Sequence, residues 1–159
     1  MSLSIRPAVP GDEVLVLSFI RALADYEHLL DRVVATEDSV RQALFGPNPR
    51  LFCDIAEWDG QPAGFAVWFY SYSTFLARHG LYIEDLFVKP EYRNKGIGKA
   101  LLVGLAGRAV KQGCGRLEWL VLDWNSLAIE FYEALGAREV DGWSMFRIQG
   151  EALAKLATA

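Results

Sequence analysis

The chain has 159 residues, of which 52% are hydrophobic and 23% are charged, a composition typical of globular proteins. A net charge of −4 gives no support to a nucleic-acid partner, and no segment has the form of a signal peptide or of a membrane span. Cys53 and Cys114 lie far apart without metal-ligand spacing, so we expect reduced thiols, no metal and a cytoplasmic location. The length predicts a single domain over residues 1–159.

The first half of the chain predicts a strand, two helices and a hairpin. Residues 3–7 form the strand, and a helix with apolar residues at helical spacing follows Asp12 as its N-cap. Thr36 caps the second helix, "TEDSVRQALF". Two β-rich runs, "LFCDIAEW" and "AGFAVWFYSYS", flank an Asp-Gly turn, which is a strong hairpin signal.

The remainder predicts alternating strands and helices. "LYIEDLFV" is a strand, and the helix after it carries Leu101, Leu102, Leu105 and Val110 inward and stops at Gly113. "RLEWLVL" is a largely apolar strand, "NSLAIEFYEALG" a helix, "GWSMFRIQ" a last strand and "EALAKLA" a terminal helical turn. We therefore expect a mixed α/β domain with helices on both faces of its sheet.

The segment "EYRNKGIGKALL", residues 91–102, joins a strand to a helix through two glycines. It matches neither a Walker loop nor a Rossmann fingerprint, which need further glycines or a Ser/Thr at fixed places. It still has the parts of a phosphate cradle, because glycines admit close approach of backbone N–H groups and a helix N-terminus follows. A plain strand-to-helix turn with surface lysines is the alternative reading of these residues.

In its context this segment resembles the acetyl-CoA loop of the GNAT superfamily, R/Q-x-x-G-x-G/A, with Arg93, Gly96 and Gly98 in the matching places. "YEHLL", "LYIEDLFV", "VLDWNSLAIEFYEALGA" and "GWSMFRIQGEAL" extend the resemblance over nearly the whole chain. They are similar to the diamine and polyamine acetyltransferase branch, which includes spermidine/spermine and thialysine acetyltransferases. The resemblance implies a single-domain GNAT fold, with a mixed, mostly antiparallel sheet of about six to seven strands, and a homodimer.

The resemblance also implies a place for acetyl-CoA, the expected cosubstrate. The backbone of strand "LFV" would hold the pantetheine arm, and the amides from Asn94 to Lys99 would hold the pyrophosphate. Asn94 stands where many relatives have glycine, but asparagine tolerates positive φ better than most residues. The implied cofactor-binding residues are Leu86, Phe87, Val88, Arg93, Asn94, Lys95, Gly96, Ile97, Gly98, Lys99, Asn125 and Ala128.

Direct acetyl transfer needs a neutral amine, although an alkylammonium has a pKa near ~10, and it needs a proton for the departing thiolate. The resemblance implies Glu84 as the base, acting through water, and Tyr132 as the general acid. Glu84 and Asp85 are adjacent in the strand "LYIEDLF", so we expect them to point to opposite sheet faces and only one of them to face the cleft. The alternatives are solvated strand acids and a core tyrosine.

For the amine, the resemblance implies Tyr26, Glu27, Glu84 and Asp85 as substrate-binding residues. Spermidine/spermine enzymes carry an acid followed by a tryptophan in the loop that here covers residues 71–80. This chain has Ser73-Thr74-Phe75 there, so one anion for a distant ammonium is missing. We therefore expect a shorter or zwitterionic small amine such as thialysine, lysine, ornithine or a small diamine.

Two other functions remain open at this point. A protein or peptide N-acetyltransferase would keep the fold and change the acceptor, and a non-catalytic acyl-CoA-binding sensor would keep only the cofactor site. The presence of both Glu84 and Tyr132 favours an enzyme over a sensor.

Overall fold

Five strands and five α-helices make up the computed structural model, which describes all residues from Met1 to Ala159. Two 3-10 turns, Leu30–Arg32 and Pro90–Tyr92, complete the regular structure. The elements in chain order are β1 (Leu3–Pro7), α1 (Glu13–Tyr26), α2 (Glu37–Phe45), β2 (Phe52–Trp58), β3 (Gln61–Ser73), β4 (Arg78–Val88), α3 (Ile97–Lys111), β5 (Leu117–Trp119), α4 (Ser126–Ala134) and α5 (Gly150–Ala157).

The five strands form one sheet in the order β1-β2-β3-β4-β5. The first three pairings are antiparallel and β4–β5 is parallel, so the sheet is mixed and mostly antiparallel, as predicted. The predicted hairpin is confirmed, because Asp59 and Gly60 both have positive φ at the turn between β2 and β3. Thr36 caps α2 through a reciprocal capping box with Ser39.

Helices cover both faces of the sheet. On one face, Phe65 and Val67 pack in a buried cluster with residues of α1 and α2, and Phe19 of α1 stacks on Phe65 at 5.0 Å. On the other face, Trp68 contacts Arg108 of α3. Because successive strand residues point to opposite faces, Val67 and Trp68 place α1 and α3 on opposite sides.

Several predicted details are wrong. Residues 142–149 form no strand, and the apolar side chains of Trp143 and Phe146 are 80% and 95% exposed. Their β propensity was not sufficient, because no neighbouring strand pairs with this segment. The strand predicted over residues 116–122 is reduced to β5. Val110 is exposed, and Ala109 takes the inward place in α3.

Asp12 stands at the N-cap of α1 but makes no side-chain capping bond to the helix. Its carboxylate instead accepts from the guanidinium of Arg6 at 2.7 Å and from the Val9 N–H at 2.8 Å. The charged partner on β1 therefore competes successfully with the helix amides.

The chain divides into two units, Met1–Leu122 with the whole sheet and Asp123–Ala159 with α4 and α5. The single domain over residues 1–159 stays a prediction. None of the helices is both long and apolar enough to span a bilayer.

Candidate active site

The glycine loop presents backbone amides at the start of α3. Asn94 adopts φ 60° and Gly96, the N-cap of α3, adopts φ 77°, so Asn94 takes the positive φ that the sequence analysis allowed for it. No side chain caps this helix, and the first amides of an α-helix have no intrahelical acceptor. No atom lies within 4 Å of the place that a Cβ on Gly96 would occupy. The loop therefore offers free amides, open space and the positive end of a helix to an anion.

The Arg93 side chain contacts other residues of the protein next to this loop. Its Nε donates to the Val88 carbonyl at 3.0 Å, and its guanidinium lies 4.8 Å from the ring centroid of Tyr26 and 5.7 Å from that of Phe87. The Lys95 ammonium lies over Trp58 at 5.3 Å. Arg93 thus fixes the loop against the end of β4 and the end of α1.

One edge of β4 is open over residues 84–88. β5 pairs with β4 only at Leu81–Ile83, whereas β3 follows β4 along its whole length. Backbone groups on the unpaired side of a strand can pair with an extended ligand, as a further strand would. We call residues 84–88 of β4 the open edge.

The direction of the backbone groups on the open edge follows from one hydrogen bond. The Lys89 N–H donates to the Ala63 carbonyl of the neighbouring chain segment at 2.9 Å. Since these groups alternate in direction along an antiparallel strand, Leu86 and Val88 turn their N–H and C=O groups away from β3. The Val88 carbonyl is taken by Arg93, which leaves both groups of Leu86 and the N–H of Val88 for a ligand.

A β-bulge lies at Glu84. Val67 of β3 pairs with Asp85 and Trp68 pairs with Ile83, so Glu84 has no partner residue. The predicted strict alternation of Glu84 and Asp85 assumed a regular strand, and that assumption is wrong here. Bulges redirect side chains and are frequent beside active sites.

Asp85 is half-buried in an environment of like charge. Burial, with smaller contributions from the carboxylates of Glu84 and Glu27, raises the pKa of Asp85 to about 7. None of the seven ion pairs of the protein includes any of these three acids. The site therefore collects negative charge that no cation of the protein compensates, which suits a cationic ligand.

Glu27 reaches this cluster from the C-terminal end of α1. His28 has φ 60°, the Leu29 N–H donates to the Ala24 carbonyl at 2.8 Å, and the His28 N–H donates to Asp25. This is a Schellman ending, with histidine in the left-handed position where glycine is usual. Burial raises the pKa of Glu27, and the negative end of the helix dipole further disfavours its charge unless a cation is bound.

The second unit carries the other predicted site residues on α4. Asn125 is the N-cap, and its side-chain oxygen accepts from the Ala128 N–H at 3.3 Å. Tyr132 lies in the last turn, before a Schellman ending in which the Ala137 N–H donates to the Tyr132 carbonyl at 3.1 Å. Gly136 supplies the left-handed residue with φ 95°.

Tyr82 and Glu118 are not among the site residues predicted from the sequence. They are partners in the parallel pairing of β4 and β5, and Phe69 of β3 is the partner of Tyr82 on the other side. Burial, followed by the charges of Glu84 and Glu118, raises the pKa of Tyr82. A polar residue in the apolar run "RLEWLVL" was the available signal for Glu118.

Comparisons with known proteins show the family to which the chain belongs. The Acetyltransferase (GNAT) family model matches residues 18–137. The chain is 41% identical to the thialysine N-epsilon-acetyltransferase of Sus scrofa, with 98% of each covered, and 34% identical to an L-ornithine N5-acetyltransferase of Arabidopsis thaliana, with 94% of this chain and 85% of that one covered. Among solved structures, an integron cassette protein from the mobile metagenome of V. cholerae has a TM-score of 0.83 at 29% identity, with 100% of this chain and 99% of that one covered.

The chain therefore belongs to the GNAT family of acetyltransferases. It is an N-acetyltransferase of the predicted diamine and polyamine branch, and its similarity to the thialysine-type relative extends over the full length of both chains. The α/β fold class is confirmed, with five strands where about six to seven were expected. Members of the family use acetyl-CoA as the acetyl donor.

Proposed function

We propose that the protein transfers the acetyl group of acetyl-CoA to a small cationic amine, such as thialysine, lysine, ornithine or a small diamine. The observation that carries this proposal is the acidic cluster of Glu27, Glu84 and Asp85, in which no acid forms an ion pair. Two of these acids, Glu84 and Asp85, lie on the open edge of β4, which leads into the glycine loop. The thialysine and ornithine acetyltransferases among its relatives support this acceptor class. A small amine needs only a few fixed charges, which this cluster provides.

The loop and the open edge fit acetyl-CoA in two parts. Amides from Asn94 to Lys99 would hold the pyrophosphate, because Gly96 leaves open space and α3 lacks a cap. Leu86 and Val88 would hold the pantetheine arm through their outward backbone groups. Arg93 acts here as a positioning residue, since its guanidinium is engaged by Val88, Tyr26 and Phe87.

The acceptor amine has to lose a proton before it reacts. The thioester of bound acetyl-CoA supplies an acetyl group that is activated for attack by a neutral amine. Glu84 takes the proton through a water molecule, while ionised Asp85 and Glu27 attract the ammonium form into the site. Since Asp85 has a pKa of about 7, this attraction grows as the pH rises through neutrality.

Two groups interact with the negative charges that develop on the acetyl carbonyl oxygen and on the leaving sulfur. The Leu86 N–H on the open edge is directed to stabilise the negative charge that develops on the carbonyl oxygen. The Tyr132 hydroxyl donates a proton to the departing thiolate sulfur. Asn125 and Ala128 belong to the same helix as Tyr132 and contribute to the cofactor side. A homodimer in the cytoplasm completes the proposal.

The test is a measurement of CoA release from acetyl-CoA over a panel of amines. The panel contains thialysine, lysine, ornithine, 1,4-diaminobutane, spermidine and short peptides, assayed with the parent enzyme and with Tyr132→Phe. We expect a small amine to be the best acceptor and Tyr132→Phe to lower kcat by about 100-fold or more while acetyl-CoA still binds. Acetylation of peptides alone would replace this acceptor, and acetyl-CoA binding without any turnover would favour a sensor.

Gly96→Val tests the cofactor half of the proposal separately. Valine is strained at φ 77° and fills the open space above the loop, so acetyl-CoA affinity should fall by at least tenfold. Gly104→Val is the matched control, because Gly104 lies inside α3 with no atom within 4 Å of a Cβ and away from the loop. Unchanged affinity in Gly96→Val would place the phosphates elsewhere.

A further inference from the structure

The bulge at Glu84 determines which side chains share a sheet face with Asp85. In a regular strand, residues three apart lie on opposite faces, but the extra residue in β4 brings Tyr82 and Asp85 to the same face. Asp85 pairs with Val67 and Tyr82 pairs with Phe69, two residues further along β3. This is the face covered by α1, whose end carries Glu27.

Tyr82 and Phe69 form an aromatic pair on that face. Their ring centroids lie 5.0 Å apart with an interplanar angle of 37°, and both residues are half-buried, so neither is fully enclosed by the protein. Glu118 is the parallel partner of Tyr82 on β5, and neighbouring strands lie about 4.8 Å apart. The aromatic pair is therefore flanked by Glu84 on one side and Glu118 on the other.

The charges around the pair favour a cation. Glu84 makes no ion pair, whereas Glu118 is paired with Arg116 at 2.7 Å, so the Glu84 carboxylate supplies the larger part of the negative charge beside the rings. The ring of Tyr82 supplies a second attraction, because a cation over a tyrosine face is attracted by the negative face of the ring. Three residues of a strand span roughly 10 Å, less the shortening by the bulge, which suits an amine with four to six carbon atoms.

We infer that Tyr82, backed by Phe69 and Glu118, binds the second, non-reacting ammonium of the acceptor while its first nitrogen lies at Glu84 and Asp85. This inference rests on the proposed function and adds a specificity-determining residue to it. Tyr82 then distinguishes amines with two nitrogens from monoamines of equal length.

The test compares kcat/KM for 1,4-diaminobutane with kcat/KM for 1-aminobutane and for 4-amino-1-butanol, whose distal group is polar but uncharged. The parent enzyme should favour the diamine over both. Tyr82→Leu should lower the ratio of diamine to monoamine by about threefold to tenfold, and Tyr82→Phe should retain it within about twofold because the ring remains. Tyr70→Leu is the matched control, since Tyr70 lies next to Phe69 on β3 but points to the opposite face, and it should leave the ratio unchanged.

The outcomes separate this inference from the proposed function. Absence of turnover with every amine in the parent enzyme would overturn the proposed function itself. Good turnover with an equal loss for diamine and monoamine in Tyr82→Leu would overturn only the role of Tyr82, as would an equal fall of the ratio in Tyr82→Phe and Tyr82→Leu. If Tyr82→Leu fails to fold, Phe69→Leu and Glu118→Gln replace it, and both should lower the ratio; an unchanged ratio in both would overturn the inference.

Discussion

Two aspartates near the centre of the sheet have opposite surroundings. Asp54 on β2 faces α3, where its Oδ2 accepts from the Arg108 guanidinium at 2.8 Å and from the Trp68 indole N–H at 3.2 Å. Asp85 on β4 faces α1, where its charged neighbours are the carboxylates of Glu84 and Glu27. The first is a satisfied structural acid, and the second is an acid whose counter-charge, in the proposed function, comes from the substrate.

The contrast between Asp54 and Asp85 separates a structural acid from a candidate functional acid of the same type. Burial alone does not do so, because both side chains are removed from water to a large extent. The partners decide: a buried carboxylate with a cation and an indole donor is complete, whereas one beside like charges is prepared for a ligand. Four substitutions test this comparison.

The largest effect is expected from Glu84→Gln, at the functional acid's neighbour. Turnover at saturating amine should fall by about 100-fold or more, and most at low pH, where the neutral amine is scarcest. The measurement is the pH profile of kcat. Asp54→Asn is the control and should leave kcat of the folded enzyme unchanged; a Glu84→Gln profile that overlays the parent's would assign the proton to another base.

Arg108→Met removes the cation that pairs with the structural acid Asp54. Removal of the guanidinium leaves the Asp54 carboxylate buried without its cation, which should cost about 3–5 kcal/mol in the free energy of unfolding. Urea denaturation measures this. The double variant Asp54→Leu with Arg108→Met should recover much of the loss, because no buried charge remains. A loss below about 1 kcal/mol would mean that this pair is no stronger than a surface salt bridge.

Asp85→Asn should stabilise the protein at neutral and alkaline pH. Burial raises the pKa of Asp85 from 3.8 to about 7 in the folded state, so the folded protein holds a proton that the unfolded chain has released. The stabilisation that the folded protein gains from holding this proton is complete below about pH 4 and is lost as the pH rises to 7. The shift corresponds to about 4 kcal/mol at most, and solvent screening reduces our expectation to about 1–2 kcal/mol above pH 7.

Thermal unfolding of both proteins between pH 4 and pH 8.5 checks this prediction. The difference in stability should vanish near pH 4 and reach a plateau above pH 7. The same variant should raise the KM for the amine, because one of the attracting charges is gone. A variant less stable than the parent at pH 8 would show that the Asp85 carboxylate is stabilised by its surroundings.

The smallest effect is expected from Glu27→Gln. Glu27 lies at the rim of the acidic cluster, so we expect the KM for the amine to rise about threefold to tenfold with little change in kcat. Added salt should reduce the difference between variant and parent, since salt screens the interaction of a partly exposed charge with its ligand. Asp25→Asn, an exposed acid in the same helix turn, is the control. If both variants change the KM equally, Glu27 acts only through the net charge of the protein and does not contact the amine.

Local sequence signals predicted most elements and the cofactor loop. Period-two and helical spacing, the Asp-Gly turn, the Thr36 cap and the Gly136 stop depend on neighbours within a few residues, so they can be read from the chain. Glu27, Glu84 and Asp85 were named through the family resemblance. The sequence did not show that these three acids lie close together, because Glu27 at the end of α1 and Glu84 in β4 are 57 positions apart (84 − 27).

The class of fold, the glycine loop at the start of α3 and the residue types that the chemistry requires can all be recognised in the sequence. Three further features become visible only in the folded chain: Glu84 lies on a bulge, Arg93 is engaged by the protein, and Asp54 but not Asp85 has a cation. The folded chain also shows that residues 142–149 form no strand despite their composition. The physical reason is common to all four: strand pairing and charge compensation depend on partners distant in sequence, which no local pattern encodes.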